Sequence, residues 1–339
     1  MITLPMPRWA AKVSEQSIIT LQTLSIMAEN PVPWKLPTVG DRPICVLGAG
    51  VLGRRIAACW ASTGYKVHIR DISQQQLDQA LEYVKNEMSS YKPTISADNL
   101  RIQGFQDLAS AVADAWLVIE CVPEDLALKI KTFAELERIA QPDTILATNS
   151  SSYKSREMTV KVKPETAKRM LNTHYFIPPE MRTVELMTSG STHQIIFPFL
   201  QGHFRSSGMV SVIAQKESTG FIMNRVWAAI KRECLMVLSE GVTTPSDLDK
   251  VWTEVFINGA VPPCRMMDSV GLDTVSRIEK HYIDERGLQD PGVIPYLQAF
   301  IDEGKLGNKS NKGGLYAPES EKLPSSDEQA EPTTGPPSS

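Results

Sequence analysis

Short apolar runs at Ile44 to Leu47, Tyr65 to Ile69, Trp116 to Cys121 and Thr144 to Ala147 punctuate the first half of the chain. They lack polar alternation and are bounded by polar or turn residues, the pattern of strands covered on both faces. Between them lie segments of helical periodicity. Within 72–91 the apolar residues Leu77, Leu81, Val84 and Met88 share one face, a second helix reaches Ala113, and a third covers Leu126 to Ile139. Ile102 to Phe105, Arg169 to Phe176, Thr183 to Met187 and Val210 to Ile213 add further strands, with a helix over 197–205. Strands alternating with helices predict a mostly parallel sheet with helices on both faces, an α/β domain.

From Ser218 the pattern becomes helical throughout. Phe221, Val226, Ile230, Leu235 and Leu238 stripe one long helix, and Ser246, with Asp249 three residues on, predicts the cap of a helix through Val255. Two more helices are expected over 266–283 and 293–303. The boundary is placed near Lys216, giving an α/β domain over 43–216 and a smaller all-α domain over 217–316. An apolar helical set in this position suggests a homodimer interface. After Tyr316 the composition turns to Pro, Ser and Glu, so 317–339 is expected to be disordered.

Residues 1–42 form an N-terminal extension, in which Trp34 and its neighbours are expected to pack on the domain. Arg8 and Lys12 suggest a mitochondrial transit peptide, while Glu15 and Glu29 oppose one, so the expected compartment is cytoplasmic. The chain of 339 residues carries a net charge of −4, which argues against nucleic acid or an anionic membrane as partner. No apolar run approaches the roughly 20 residues of a membrane span. The five cysteines are scattered without a C-x-x-C pair, and no clustered Cys and His or HExxH suggests a metal.

The first strand leads into Gly48, Gly50 and Gly53 in G-x-G-x-x-G spacing, then a small-residue helix over 54–63, then a second strand delivering Asp71. Gly48 permits the tight turn, Gly50 lets backbone approach a pyrophosphate, and Gly53 lets helix and strand pack closely. The helix N-terminus presents unpaired N–H groups and partial positive charge to phosphates. Asp71 accepts from a ribose 2′-hydroxyl, which favours NAD over NADP. Strand, helix, second strand and acid together make the Rossmann-type dinucleotide fingerprint. Arg54, Arg55 and Arg70 are the cations near enough to admit a 2′-phosphate, with Arg55 read as an ordinary exposed helix residue.

Ligands of such sheets sit beyond the carboxyl ends of the strands, where Glu124, Lys129, Asn149 and Ser150 to Ser152 fall. Hydride transfer needs a partner that moves a proton, and histidine suits because its unperturbed pKa lies near physiological pH. Of five histidines, His68 reads as a packing or surface residue, and His193, His203 and His281 read as solvated. His174, on a strand just before Tyr175-Phe176-Ile177-Pro178, remains the candidate. A Ser151, His174, Glu185 hydrolase lacks the G-x-S-x-G elbow.

Asn149-Ser150-Ser151-Ser152, His174-Tyr-Phe-Ile-Pro, Val184-Glu185-Leu186 and Gly220-Phe-Ile-Met-Asn224-Arg225, in that order, resemble the L-3-hydroxyacyl-CoA dehydrogenase family over roughly 43–316. The resemblance implies an NAD-dependent oxidoreductase of a small-molecule 3-hydroxyacyl thioester. It implies His174 as the acceptor of the hydroxyl proton, Glu185 as its orienting partner, and Ser151 and Asn224 as holders of the substrate oxygen. NAD contacts carry over to Gly48, Gly50, Gly53, Asp71, Glu124, Lys129, Ser151 and Lys309. Three departures stand out. Ile177 replaces the family's asparagine, the His-to-Glu spacing is one residue shorter, and the lysine-rich segment that meets CoA is reduced to Lys85 and Lys92. DISQQQLDQALEYVKNEM and SEGVTTPSDLD are also similar to lambda-crystallin and its relatives that oxidise L-gulonate. An NAD-binding protein without turnover is the third alternative.

Overall fold

Four-residue strands that are buried end to end set the centre of the first unit: β1 (Ile44–Leu47), β4 (Leu117–Glu120) and β5 (Ile145–Thr148). The computed structural model describes residues 34–318, so the expectations for a transit peptide and a disordered tail fall on residues outside the described ones. With β2 (Val67–Arg70), β3 (Ile102–Phe105), β6 (Met170–Tyr175), β7 (Thr183–Thr188) and β8 (Val210–Ala214) they form one eight-stranded sheet in the order β3-β2-β1-β4-β5-β6-β7-β8. Every pairing is parallel except β6 with β7. The chain leaves β1 toward β2 on one side and returns to β4 on the other. That reversal opens a crevice at the strands' carboxyl ends.

The helices of the sheet begin in two ways. α2 (Gln74–Glu87), α3 (Leu108–Val112) and α4 (Leu126–Ile139) are capped by Ser73, Asp107 and Asp125, each accepting a backbone N–H of the first turn. α1 (Val51–Ala61) starts at Gly50 with no side-chain cap, so its leading N–H groups stay open to a ligand. Its other end packs through Ile56, Ala57, Cys59 and Trp60, all fully buried. Trp60 meets Trp116 edge-on, and its indole N–H donates to Tyr175 Oη at 3.0 Å. Truncating Trp60 to Ala is expected to cost about 3–5 kcal/mol. Trp34 lies stacked on His193 and donates to the Pro142 carbonyl. α5 (Ile196–Ser206) buries Phe197, Leu200 and Phe204.

The chain divides into two compact units after Ala229, within α6 (Met223–Ser239). The second unit is all-helical. Thr244, not Ser246, caps α7 (Pro245–Trp252): Pro245 takes the first helical position, and Thr244 Oγ1 accepts from Asp247 N. The single helix expected over 266–283 is two, α8 (Pro263–Val270) and α9 (Leu272–Arg286), broken at Gly271 with φ +96°. After α10 (Val293–Asp302), the buried Asp268 carboxylate accepts the amides of Leu315 and Tyr316 and fixes the end of the unit. No helix among the described residues is long and apolar enough to cross a membrane.

Candidate active site

The three glycines occupy backbone positions that a side chain would disturb. Gly48 has φ +110°, and a Cβ on it would collide with the Cys121 carbonyl. A Cβ on Gly53 would run into the Gly48 carbonyl, so helix and strand touch there. Gly50 faces open space within 4 Å, the room a pyrophosphate needs above the uncapped helix. Asp71 Oδ2 accepts the Ala49 N–H at 2.9 Å and Oδ1 accepts the Ser73 N–H at 3.0 Å. The acid therefore fixes the turn, and each oxygen retains a lone pair for a ribose hydroxyl.

Two cavities flank the turn. One of about 410 Å³ is bordered by Gly48, Asp71, Ile72, Val122 and Leu128, an apolar slot beside an acid that fits an adenosine. The other, of about 350 Å³, is bordered by Gly50, Glu124, Lys129, Asn149, Ser151 and His174. Val122 borders both cavities, and the glycine turn lies between an acid on one side and the uncapped helix start on the other, so these residues fit NAD. Of the cations, Arg54 lies over the Tyr83 ring, while Arg70 borders the first cavity with its Nε donating to the Gln106 carbonyl. Arg55 departs from expectation. It is not an ordinary exposed helix residue but reaches the Pro178 carbonyl at 2.6 Å and Glu180 at 2.8 Å, tying α1 to the β6–β7 hairpin.

At the ends of β4 and β5 a charged network lies beneath the second cavity. Lys129, 1% exposed, donates to Glu120 Oε1 at 2.7 Å and to the Val122 carbonyl at 3.2 Å, and lies 3.1 Å from Glu124 Oε2. Glu120 is fully buried, and burial pushes its carboxyl up despite the Lys129 ammonium. Glu124 stands at the surface end. Burial raises it, but the Ser150 hydroxyl and the Lys129 ammonium outweigh that and hold it below the usual carboxylate range.

His174 and Glu185 face each other directly across the antiparallel β6–β7 pair. His174 Nδ1 lies 2.9 Å from Glu185 Oε2, and Glu185 Oε1 accepts the amides of Ile222 at 3.1 Å and Met223 at 2.8 Å. Burial raises the Glu185 carboxyl, and the bonds from His174, Met223 and Ile222 more than offset it, leaving it below the ordinary range. The imidazole is also gripped from its face. Phe221, buried with φ +55°, stacks on it at 4.9 Å. The left-handed turn at Gly220-Phe221 thus delivers a ring to His174 and two amides to Glu185.

Ser151 is exposed on the cavity wall, whereas Asn224 follows the two amides in the first turn of α6 and is not among the cavity's lining residues. Lys309 belongs to the second unit, where its Nζ donates to Thr274 Oγ1 at 2.7 Å. His203 is not solvated as expected: it packs against Trp116 and Phe199, with Nδ1 2.7 Å from Tyr65 Oη. His193 likewise lies stacked on Trp34, while His281 is exposed. Sequence reasoning missed Glu120, and it placed Phe221 in the stripe of the long helix, which begins only at Met223, after the left-handed turn. An acid closing an otherwise apolar strand was the signal for Glu120, since a buried carboxylate demands a partner. Among the described residues no group of His, Cys, Asp and Glu is placed to hold a metal.

Residues 43–218 match the family model described as 3-hydroxyacyl-CoA dehydrogenase, NAD binding domain, and residues 220–316 match 3-hydroxyacyl-CoA dehydrogenase, C-terminal domain. The 3-hydroxyacyl-CoA dehydrogenase-like protein LAM1 of Cochliobolus heterostrophus is 49% identical over 156 residues, 46% of this chain and 33% of that relative. The match thus spans a third of that relative's length. The lambda-crystallin homolog of Homo sapiens is 34% identical over 222 residues, 62% of this chain and 68% of the relative. The crystal structure of a 3-hydroxyacyl-CoA dehydrogenase from Archaeoglobus fulgidus has a TM-score of 0.67 at 27% identity, covering 82% of this chain and 92% of that one.

Proposed function

The chain belongs to the 3-hydroxyacyl-CoA dehydrogenase family and is an NAD-dependent oxidoreductase, and from that premise we propose that it reversibly oxidises a 3-hydroxyacyl thioester to the 3-oxoacyl form, with His174 and Glu185 as the acid–base pair. The reading rests on one observation: His174, backed by Glu185 at 2.9 Å, borders the same cavity as the glycine turn. An ionised Glu185 only accepts, so in the neutral imidazole His174 Nδ1 carries the hydrogen and Nε2 keeps a lone pair. Nε2 takes the substrate hydroxyl's proton while the carbon-bound hydrogen leaves as hydride. NAD, when bound, supplies the acceptor for that hydride. Glu185 stabilises the imidazolium that forms, and its other oxygen, held by two amides, stops it from turning away. Ser151 and Asn224 hold the substrate oxygen by hydrogen bonds. Gly48, Gly50, Gly53 and Asp71 seat the dinucleotide, with Glu124, Lys129 and Ser151 at its nicotinamide end and Lys309 contributed by the helical domain.

We also propose a domain boundary near Lys216, with 43–216 binding NAD and 217–316 forming the helical domain, although the compact units divide later, after Ala229. We assign a homodimer formed through the second unit, supported by the exposed Leu235, Phe256, Ile257 and Ile278 there. Five free thiols support a reducing, cytoplasmic compartment. The acyl group is a fatty acyl chain or a specialised metabolite.

A second reading, oxidation of a small hydroxy acid such as L-gulonate, is favoured by α2, where Lys85 is the sole cation among glutamines and acids. A CoA phosphate finds little to bind there. The test is a substrate panel. NADH oxidation with acetoacetyl-CoA and no NAD reduction with L-gulonate supports the thioester; the reverse selects the hydroxy acid. NADH binding without turnover of either contradicts both.

A further inference from the structure

Glu120 lies at the foot of a closed ring of hydrogen bonds that joins the ends of β4 and β5. Its Oε1 accepts from Lys129 Nζ at 2.7 Å and from the Val122 amide at 2.8 Å. Lys129 Nζ reaches on to Glu124 Oε2 at 3.1 Å. Glu124 Oε1 accepts from the Ser150 hydroxyl and from the Ser152 amide. The Ser150 amide donates to Thr148 Oγ1 at 3.2 Å, and the Thr148 hydroxyl donates back to Glu120 Oε2 at 2.6 Å. Glu120 and Lys129 are buried, whereas Glu124 carries its carboxylate out to the cavity.

Three features give the ring a direction. Lys129 has three acceptors for its three N–H bonds, all within the protein, so its geometry is set from below. Thr148 accepts from one neighbour and donates to the other, so it fixes the start of the Asn149 to Ser152 loop relative to β4. The charge is uneven: two carboxylates share one ammonium. A fully buried carboxylate with no other counter-ion among the described residues holds the ammonium firmly in place, and the ammonium then holds Glu124. Glu124, partly exposed and with 40% of its side-chain surface open, would otherwise sample several rotamers.

We infer that Glu120 is a positioning residue for cofactor binding: through Lys129 on one side and Thr148 and Ser150 on the other, it sets the Glu124 carboxylate at the nicotinamide end of the dinucleotide cavity. The inference rests on the reading of Glu124 as a cofactor contact. Glu120 itself touches no part of the open cavity. Its effect belongs in NADH affinity rather than turnover, because the ring shares no hydrogen bond with His174 or Glu185.

The experiment is a double-mutant cycle on NADH binding, read by nicotinamide fluorescence, with kcat at saturating NADH measured beside it. Glu120→Gln keeps the shape and removes the charge. The NADH Kd should rise about tenfold, while kcat should change less than about threefold. In a Glu124→Gln background the same substitution should have little further effect, because the group being positioned is gone. Thr148→Val, which opens the ring without touching the ion pair, should raise Kd by a smaller factor with the same dependence on Glu124. It decides the matter should Glu120→Gln not fold. Full, multiplicative losses in the Glu124→Gln background would overturn the inference, as would an unchanged Kd in a folded Glu120→Gln protein. If Glu124→Gln alone leaves NADH affinity unchanged, the reading of Glu124 as a cofactor contact fails instead, and with it the purpose of the ring.

Discussion

The cavity wall proposed to face the dinucleotide is built largely from the backbone of the glycine turn, and the wall proposed to face the substrate is built from side chains. On the first, the turn at Gly48 to Gly53 offers amides and empty space, and even Asp71 spends one lone pair of each oxygen on a backbone N–H, that of Ala49 in the turn and that of Ser73. On the second, an imidazole is held at its edge by Glu185 and on its face by Phe221. Parallel strands make the first wall, and the sheet's antiparallel pair makes the second. Binding a charged, extended cofactor asks for many small fixed dipoles at a helix start. Moving one proton asks for a single titratable group with its tautomer fixed. Damage to one wall should therefore appear in cofactor affinity, and damage to the other in turnover.

The largest expected effect is on the side-chain wall. His174→Gln should lower kcat by about 10²–10⁴, the usual range for general acid–base catalysis, with NADH Kd near that of the wild type. A comparable loss of NADH affinity in this variant would break the separation between the walls.

Stability provides a smaller effect on the same wall. Because its bonds hold the folded Glu185 carboxyl below its unfolded value, the stabilisation is full above the unfolded pKa of about 4.3 and is lost as pH falls through the folded one. Glu185→Gln should therefore be less stable than the wild type by about 1.5–3 kcal/mol at neutral pH, the range for hydrogen bonds to a charged group. Urea titrations should show that gap closing as the pH is taken below the ordinary carboxylate range. A gap independent of pH would mean that the carboxylate's charge contributes nothing.

The backbone wall gives the smallest difference. Asp71, proposed to face the ribose, should repel a 2′-phosphate, so NADH should bind at least about tenfold tighter than NADPH, roughly 1.4 kcal/mol. Equal dissociation constants would show that Arg70, which borders the same cavity, compensates for the acid.

The backbone wall was the more legible in the sequence, for a physical reason. Gly48, Gly50 and Gly53 have local jobs, and their spacing is fixed by one turn and one helix. The order of apolar runs likewise announced the parallel sheet, because a strand buried on both faces has little choice of residue. His174 stood out among the histidines on its own, but its pairing with Glu185 emerged only through the ordered family motifs, since their meeting depends on an antiparallel register that no local pattern displays. Glu120 stayed hidden because its partners, Lys129 and Thr148, come from another helix and another strand. Phe221 read as part of the helix stripe because a positive φ on a bulky residue is imposed by its surroundings. His203 read as solvated because the aromatic neighbours that enclose it, Tyr65 and Trp116, are distant in sequence. In the helical unit, Gly271 sat inside a continuous periodic pattern, and only the fold shows that it ends one helix and starts another.

That His174 and Glu185 act as one chemical unit is tested most directly by a double-mutant cycle of His174→Gln and Glu185→Gln on kcat at saturating NADH. In the proposed mechanism Glu185 works only through the imidazolium that His174 becomes, so its benefit belongs to the transition state and vanishes with the ring. The double variant should be scarcely slower than His174→Gln alone. Losses that multiply, or a His174→Gln protein that turns over normally, would contradict the pairing and place the proton acceptor elsewhere.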